Sequence, residues 1–299
     1  MRAIGLGGRA RAVAALTTGT AEELRRIHDP SPQVAAALAR AATGALLLAA
    51  TVEKATAREP VLTLEIEGDG PAGRLVATAS PAGWVRATVA EPLATSPHRD
   101  DGTLDVAGVV GASGQLVVTR DSGSGEPYRG VVAMQSGDLA QNLAAYLGSS
   151  EQTPSAVVLG VLVVPAGRVE VAGGFLVQLL AGVSEDEAEA IGTRIRAIGA
   201  LSSSLVEGRG PREWLAEVFP EGCSVLGEVP ARFVCGCSIE RVETALKLLG
   251  IGEIRASMDE DNERRATVTC GFCRTEYHVP RTRLLELIAE IEIERASRR

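Results

Sequence analysis

The chain has 299 residues, 45% of them hydrophobic and 23% charged. That composition excludes wholesale disorder and allows one sizeable core plus a smaller unit. A net charge of −8 and a pI near 5.2 argue against a nucleic-acid binder that works through a broad basic face.

The first nine residues contain no apolar stretch of signal-peptide length. The longest mostly apolar run, 41–52, is shorter than the roughly 20 residues a membrane span needs, so no membrane partner is expected. A reducing cytoplasm is the expected compartment, where clustered cysteines serve metal or redox chemistry. Ser31-Pro32 followed by an Ala- and Leu-rich segment predicts a helix over 31–55. Alternating runs at 61–67, 74–79 and 84–89, separated by Gly and Pro, predict an antiparallel meander. Further strands are predicted at about 115–120, 129–134, 156–164 and 168–180, with a helix at about 137–147 presenting Leu139, Leu143 and Tyr146 on one face. Strands and helices interspersed without strict βαβ alternation indicate α+β.

The first domain is expected to span 1–183, a mixed sheet and helix core. Ser184-Glu185-Asp186-Glu187 has the form of a capping box and opens a helix carrying Ala188, Ile191, Ile195 and Ile198. Gly208, Gly210 and Pro211 break it, and Trp214, Leu215 and Val218 suggest a short helix after them. Residues 184–232 carry 5 basic and 9 acidic side chains, which describes an acidic helical linker stable only when docked. Residues 233–299 form the small C-terminal domain. There Ser238 N-caps a helix bearing Val242, Ala245, Leu246 and Leu249, with Gly250 as its stop. Strands at 267–269 and 275–279 precede a last helix at about 281–294.

All five cysteines, Cys223, Cys235, Cys237, Cys270 and Cys273, lie beyond residue 222. Cys235-Gly236-Cys237 and Cys270-Gly271-Phe272-Cys273 form a two-plus-two thiolate arrangement, and four soft thiolates in tetrahedral geometry suit one Zn²⁺. An iron-sulfur cluster or metal-free thiol pairs are the other chemistries open to them. A zinc site of this kind is either a structural knuckle or a switch. The switch draws support from C-x-C, because a disulfide across one intervening residue closes a strained, easily reduced ring. Zinc-bound thiolates are also already deprotonated for an oxidant, and losing structural zinc removes about 10–16 kcal/mol of folding energy.

Cys223 has no near partner and is read as a small apolar side chain or free thiol. His278, five residues after Cys273, is read as a hydrogen-bonding or surface residue, and His28 and His98 carry no signal. Gly68-Asp69-Gly70-Pro71-Ala72-Gly73 matches G-x-G-x-x-G, but it joins two strands and reads as a hairpin turn. With no P-loop, no H-E-x-x-H, no G-x-S-x-G and three scattered histidines, no catalytic residue is assigned and the chain is not expected to be an enzyme.

Phe233-Val234-Cys235-Gly236-Cys237-Ser238, the helix from Glu240 to Leu246, and Val268-Thr269-Cys270-Gly271-Phe272-Cys273 with Tyr277 closely resemble the C-terminal redox switch of the thirty-three-kilodalton heat-shock protein family. In the first domain Gly68-Asp69-Gly70-Pro71, Tyr128-Arg129-Gly130-Val131 and Tyr146 with Ser150-Glu151-Gln152 look like landmarks of the same family. The resemblance implies a redox-regulated, ATP-independent holdase chaperone for unfolding client proteins. It implies one zinc on Cys235, Cys237, Cys270 and Cys273 in the reduced, inactive form. Oxidation would pair Cys235 with Cys237 and Cys270 with Cys273, release zinc, unfold the C-terminal domain and linker, and yield an active homodimer. Two other classes stand beside it. A zinc-ribbon nucleic-acid regulator would need a basic surface, whereas residues 233–299 carry 11 basic and 12 acidic side chains. A thiol-disulfide oxidoreductase would use Cys270 and Cys273, but these lie far from any βαβ pattern.

Overall fold

Ser31 accepts a hydrogen bond from the backbone N–H of Val34, and Pro32 takes the first helical position, so the helix Pro32–Ala49 begins where the Ser-Pro pair predicts. In the computed structural model, which describes residues 1–52, 57–99, 103–260 and 265–297, this helix is the centre of the larger of two compact units, Met1–Val234. It stops at Ala49; the predicted end near 55 falls within 53–56, outside the described residues.

The chain enters through a hairpin of β1 (Arg2–Gly5) and β2 (Ala10–Leu16), then α1 (Thr18–His28) and α2 (Pro32–Ala49). The predicted meander follows as β3 (Val61–Gly68), β4 (Arg74–Ala79) and β5 (Trp84–Val89), and after α3 (Val106–Val110) come β6 (Gly114–Asp121) and β7 (Tyr128–Ala133). Next are α4 (Leu139–Ser149), with Leu139, Leu143 and Tyr146 buried as expected, and the antiparallel pair β8 (Ser155–Val163) and β9 (Val169–Leu179). The acidic segment supplies α5 (Glu185–Ala197), α6 (Leu201–Val206), α7 (Pro211–Val218), β10 (Ser224–Gly227) and β11 (Arg232–Phe233). Two sheets result, ordered β10-β1-β2-β9-β8 and β11-β5-β4-β3-β6-β7. The fold is α+β.

α2 packs on β3, β4 and β5 of one sheet and on β2, β8 and β9 of the other. A helix enclosed in this way is apolar all round. By length and composition it could cross a membrane, with a mean hydropathy of 1.3, but 89% of it is buried inside the protein. Its Thr43 hydroxyl is satisfied by Ala39 O at 2.8 Å and by Thr17 at 2.7 Å, so this buried hydroxyl is paired.

The other face of the five-stranded sheet is made of small residues. Ala3, Ala10, Ala12 and Ala14 lie on it, together with Gly5, Gly160 and Gly173, where an added Cβ would meet Phe219, Leu201 or Trp214 within 3.3 Å. Onto this flat surface α5, α6 and α7 set Ile191, Leu201, Leu205, Trp214 and Leu215, while Phe175 and Val177 stand up from β9. Trp214 is fully buried, donates its indole N–H to Ser204 Oγ at 2.9 Å, and lies 6.0 Å from the Phe175 ring centroid. The single helix expected after residue 184 is broken into α5 and α6 by Gly199, whose φ of 70° ends the first helix.

The start of α5 is pinned electrostatically. Ser184 and Glu187 form the predicted capping box, and Arg9 grips Glu187 with two hydrogen bonds of 2.6 Å while also donating to Gly182 O. The Arg9 guanidinium, then the Ser184 N–H, hold the Glu187 carboxyl down at about 2, against an ordinary 4.5. A carboxyl lowered by folding stabilises the fold above its unfolded pKa and loses that contribution as pH falls through the folded one. The thermal midpoints of wild type and a Glu187→Gln variant should therefore differ by a constant amount from pH 7 to 5 and converge between 4.5 and 2. A gap that stays constant to pH 2 would refute this role.

The G-x-G-x-x-G match is a turn. The N–H groups of Asp69, Gly70 and Ala72 donate to Ser113, Val110 and Val109 carbonyls at 2.8–3.1 Å, and a Cβ on Gly70 would lie 2.4 Å from Gly111 N. Those donors are thus engaged by backbone rather than turned toward a phosphate.

The second unit, Cys235–Arg299, contains α8 (Ile239–Leu249), α9 (Ile251–Glu260), the hairpin β12 (Arg265–Thr269) with β13 (Glu276–Pro280), and α10 (Arg281–Ser297). Val242, Leu246, Ile254, Met258, Val279 and Leu284 are among its buried residues, whereas Ala245 and Leu249, expected on the same helix face as Val242, are exposed. Arg283 of α10 grips Glu243 of α8 with bonds of 2.9 and 2.7 Å and also reaches Glu290. At this size a hydrophobic core rarely supplies more than about 3–5 kcal/mol.

Candidate metal centre

Cys235-Gly236-Cys237 immediately precedes α8, whose N-cap Ser238 accepts from Arg241 N, so both sulfurs lie near the positive end of the helix dipole. Cys270 and Cys273 occupy the turn joining β12 to β13. That turn is closed by Cys270 N–H to Thr275 O and Arg274 N–H to Cys270 O, both 2.9 Å, with Arg274 in the left-handed region at φ 59°. The two turns converge: the four sulfurs all lie within 4.8 Å of one another, with Cys235 to Cys270 at 3.7 Å and Cys237 to Cys273 at 3.3 Å. A tetrahedral site with metal–sulfur bonds of about 2.3 Å places its sulfurs about 3.8 Å apart, so the cluster has the dimensions of a ligand set able to hold a metal ion. All four residues are half-buried.

Hydroxyl groups complete the surroundings. Tyr277 donates its O–H to Cys237 Sγ at 3.0 Å, and the Thr275 hydroxyl lies 3.2 Å from Cys273 Sγ. Burial pushes Cys235 up to about 12. At Cys273 burial acts in the same direction but is outweighed by the Thr275 hydroxyl and backbone N–H, which bring it down to about 6. The hydrogen bond to Cys237 raises the Tyr277 phenol to about 12. Cys273 is thus readier to ionise than Cys235. A Cβ on Gly236 would sit 3.3 Å from Arg241 Nη1, which places a guanidinium beside the C-x-C turn to offset thiolate charge.

Of the other residues singled out in the sequence, Cys223 belongs to the first unit and packs partly against the cluster around Trp214. His278 pairs across the hairpin with Thr267, Nδ1 to Oγ1 3.1 Å, and His28 is buried with Nε2 2.9 Å from Ala87 O. Sequence reading placed Thr275 and Tyr277 on a strand without showing their role. Their two-residue spacing puts both side chains on one face of the hairpin, which is the signal available in the sequence.

The molecule is an α+β protein carrying a separate four-cysteine module that could hold a metal ion. Residues 1–280 match the family model described as Hsp33 protein. The 33 kDa chaperonin of Bacillus velezensis is 39% identical over 287 residues, covering 96% of this chain and 97% of that protein. That of Bacillus subtilis is 39% identical over 277 residues, 93% of each. The crystal structure of the 33 kDa chaperonin from Thermotoga maritima matches with a TM-score of 0.83 at 31% identity, over 98% of both chains. The chain belongs to the Hsp33 family and is a chaperone of that family.

Proposed function

We propose that this protein is a redox-activated holdase of the reducing cytoplasm, whose reduced form carries one zinc on Cys235, Cys237, Cys270 and Cys273 and is inactive. The observation that carries the reading is the convergence of four thiols in a unit whose own core is small. When bound, zinc would keep the four sulfurs deprotonated and tie the C-x-C turn to the C-x-x-C turn. Four thiolates becoming two disulfides give up four electrons; two molecules of hydrogen peroxide take them, with four protons, and leave as four waters. The pairing proposed is the one the family resemblance implies, Cys235 with Cys237 and Cys270 with Cys273. No thiolate then remains to hold a cation, and the second unit is left with a core too small to keep it folded.

The acidic segment is suited to follow. Helices of 13, 6 and 8 residues are too short to persist alone, so α5, α6 and α7 depend on docking to the sheet. Their release would uncover apolar side chains for unfolding clients, and the active form is proposed to be a homodimer. The test is to treat the reduced protein with peroxide while counting zinc, free thiols and client light scattering. One zinc per chain is expected at the start, with Cys223 the freely reactive thiol. Peroxide should then eject the zinc, and the product should keep a thermally unfolding client in solution. Retained zinc, or a client that aggregates at its uncatalysed rate, would defeat the proposal.

A smaller effect is expected at Tyr277. Groups that hydrogen-bond a metal ligand typically contribute about 10–100-fold in metal affinity. Tyr277→Phe should weaken zinc binding by about tenfold in competition with a chromophoric chelator while leaving the stoichiometry at one; an unchanged affinity would mean the phenol does not support Cys237.

A further inference from the structure

Where α2 ends between the two sheets, a cleft of about 860 Å³ opens. Small-molecule pockets run to roughly 300–1,000 Å³. Its walls are largely apolar: Ile4 of β1, Leu226 of β10, Val52 beyond α2, Pro60 just before β3 and Pro81 just after β4. Two cations enter it from the first hairpin. The register sets Ile4 opposite Arg11 and Arg2 opposite Val13, so Arg2, Ile4 and Arg11 share the face on which Val13 packs toward α2. Arg2 is exposed at the mouth, whereas Arg11 reaches further in.

Among the described residues Arg11 Nε is buried with no hydrogen-bond partner, and neither Arg11 nor Arg2 makes an ion pair. Among the described residues the carboxylate lining the cleft is Glu59, whose Oε1 accepts from the Ser80 hydroxyl and from the Trp84 indole N–H at 2.9 Å. Glu59 keeps its charge under these neutral donors and the C-terminal end of α2 adds the equivalent of about half a negative charge, so among the described residues the two guanidiniums retain an excess of about half a positive charge. A buried guanidinium N–H left without an acceptor is unfavourable, and a native structure that keeps one calls for a partner. The planar fork of arginine matches a carboxylate, and the apolar walls match an aliphatic chain.

We propose that this cleft is a binding site for a monocarboxylate with an aliphatic body, the carboxylate on Arg11 and the chain against Ile4, Val52 and Leu226. The site is separate from the four cysteines and does not rest on the function proposed above. It carries a consequence for the acidic segment, because Leu226 belongs to β10, which joins the sheet by pairing with β1. A ligand bridging the two holds β10 in place, and at a concentration ten times its Kd the local opening equilibrium should fall about elevenfold.

Octanoate is the probe, with acetate and 1-octanol as controls lacking the chain or the charge. Calorimetric titration of the full chain should give one saturable octanoate site, with neither control binding comparably. Hydrogen exchange at 224–227 should slow by the factor above. Arg11→Gln should abolish binding, Arg11→Lys should weaken it about tenfold by keeping charge without the fork, and Arg168→Gln, on an exposed side chain elsewhere, should leave it unchanged. Far-UV circular dichroism checks that the variants remain folded, and Arg2→Gln at the exposed mouth provides a second, milder test with several-fold weaker binding. No octanoate binding, equal binding of 1-octanol, or undiminished binding to both Arg11→Gln and Arg2→Gln would overturn the assignment.

Discussion

A Cys237→Ser chain should purify with less than about a tenth of a zinc per molecule and with its second unit unfolded, while the first unit keeps its structure. The substitution removes one of four converging sulfurs and leaves a neutral hydroxyl where Tyr277 donates to a thiol sulfur. Structural zinc contributes about 10–16 kcal/mol in small domains, whereas a core of this size supplies about 3–5 kcal/mol. The metal term is therefore the larger, and the ion cluster around Arg283 cannot replace it, since exposed pairs are worth at most about 1 kcal/mol each. Zinc content together with amide exchange over 239–297 would decide the matter. A Cys223→Ser chain is the control and should keep its zinc. If Cys237→Ser retains stoichiometric zinc and wild-type protection, the four-thiolate reading is wrong.

Trp214→Ala should release α5, α6 and α7 from the sheet without unfolding the rest of the first unit. Truncating a fully buried Trp costs about 3–5 kcal/mol, and here it also strands the Ser204 hydroxyl and removes the partner of Phe175. The sheet directly beneath, at Gly173 and Ala14, is flat and offers no side chain that could rise into the void. Protection against amide exchange over 185–219 should fall by about 10²–10⁴-fold, while that of α2 stays near wild type. If release of this segment is what exposes client-binding surface, the variant should also suppress client aggregation before any oxidant is added. Trp214→Phe, which fills most of the space, should lie much closer to wild type. Unaltered exchange in Trp214→Ala would show that the segment is held elsewhere.

The elements readable from sequence are those whose signals are local. The Ser31-Pro32 start, the Ser184 capping box, the Ser238 cap and the alternating strands 61–67, 74–79 and 84–89 are each fixed within a few residues. The hairpin β1–β2 gave no such signal. Ala10, Ala12 and Ala14 face one core and Val13 the other, and around the single Arg11 this run of small apolar residues carries too little alternation to read. The short strands β10 and β11 stood in a segment whose charge and composition indicated helix; only pairing with β1 and β5 makes them strands.

The candidate centre divides in the same way. Spacing alone determined that Cys235, Cys237, Cys270 and Cys273 form one set and leave Cys223 outside it, because each pair is close along the chain and thiolates bind soft cations wherever they meet. That Tyr277 and Thr275 turn hydroxyls onto two of those sulfurs, that Trp214 seats on a face of glycine and alanine, and that Arg11 reaches a cleft with no ion-pair partner among the described residues were decided by tertiary structure. Each of these depends on which residues from distant segments are brought together, and neither composition nor periodicity carries that information.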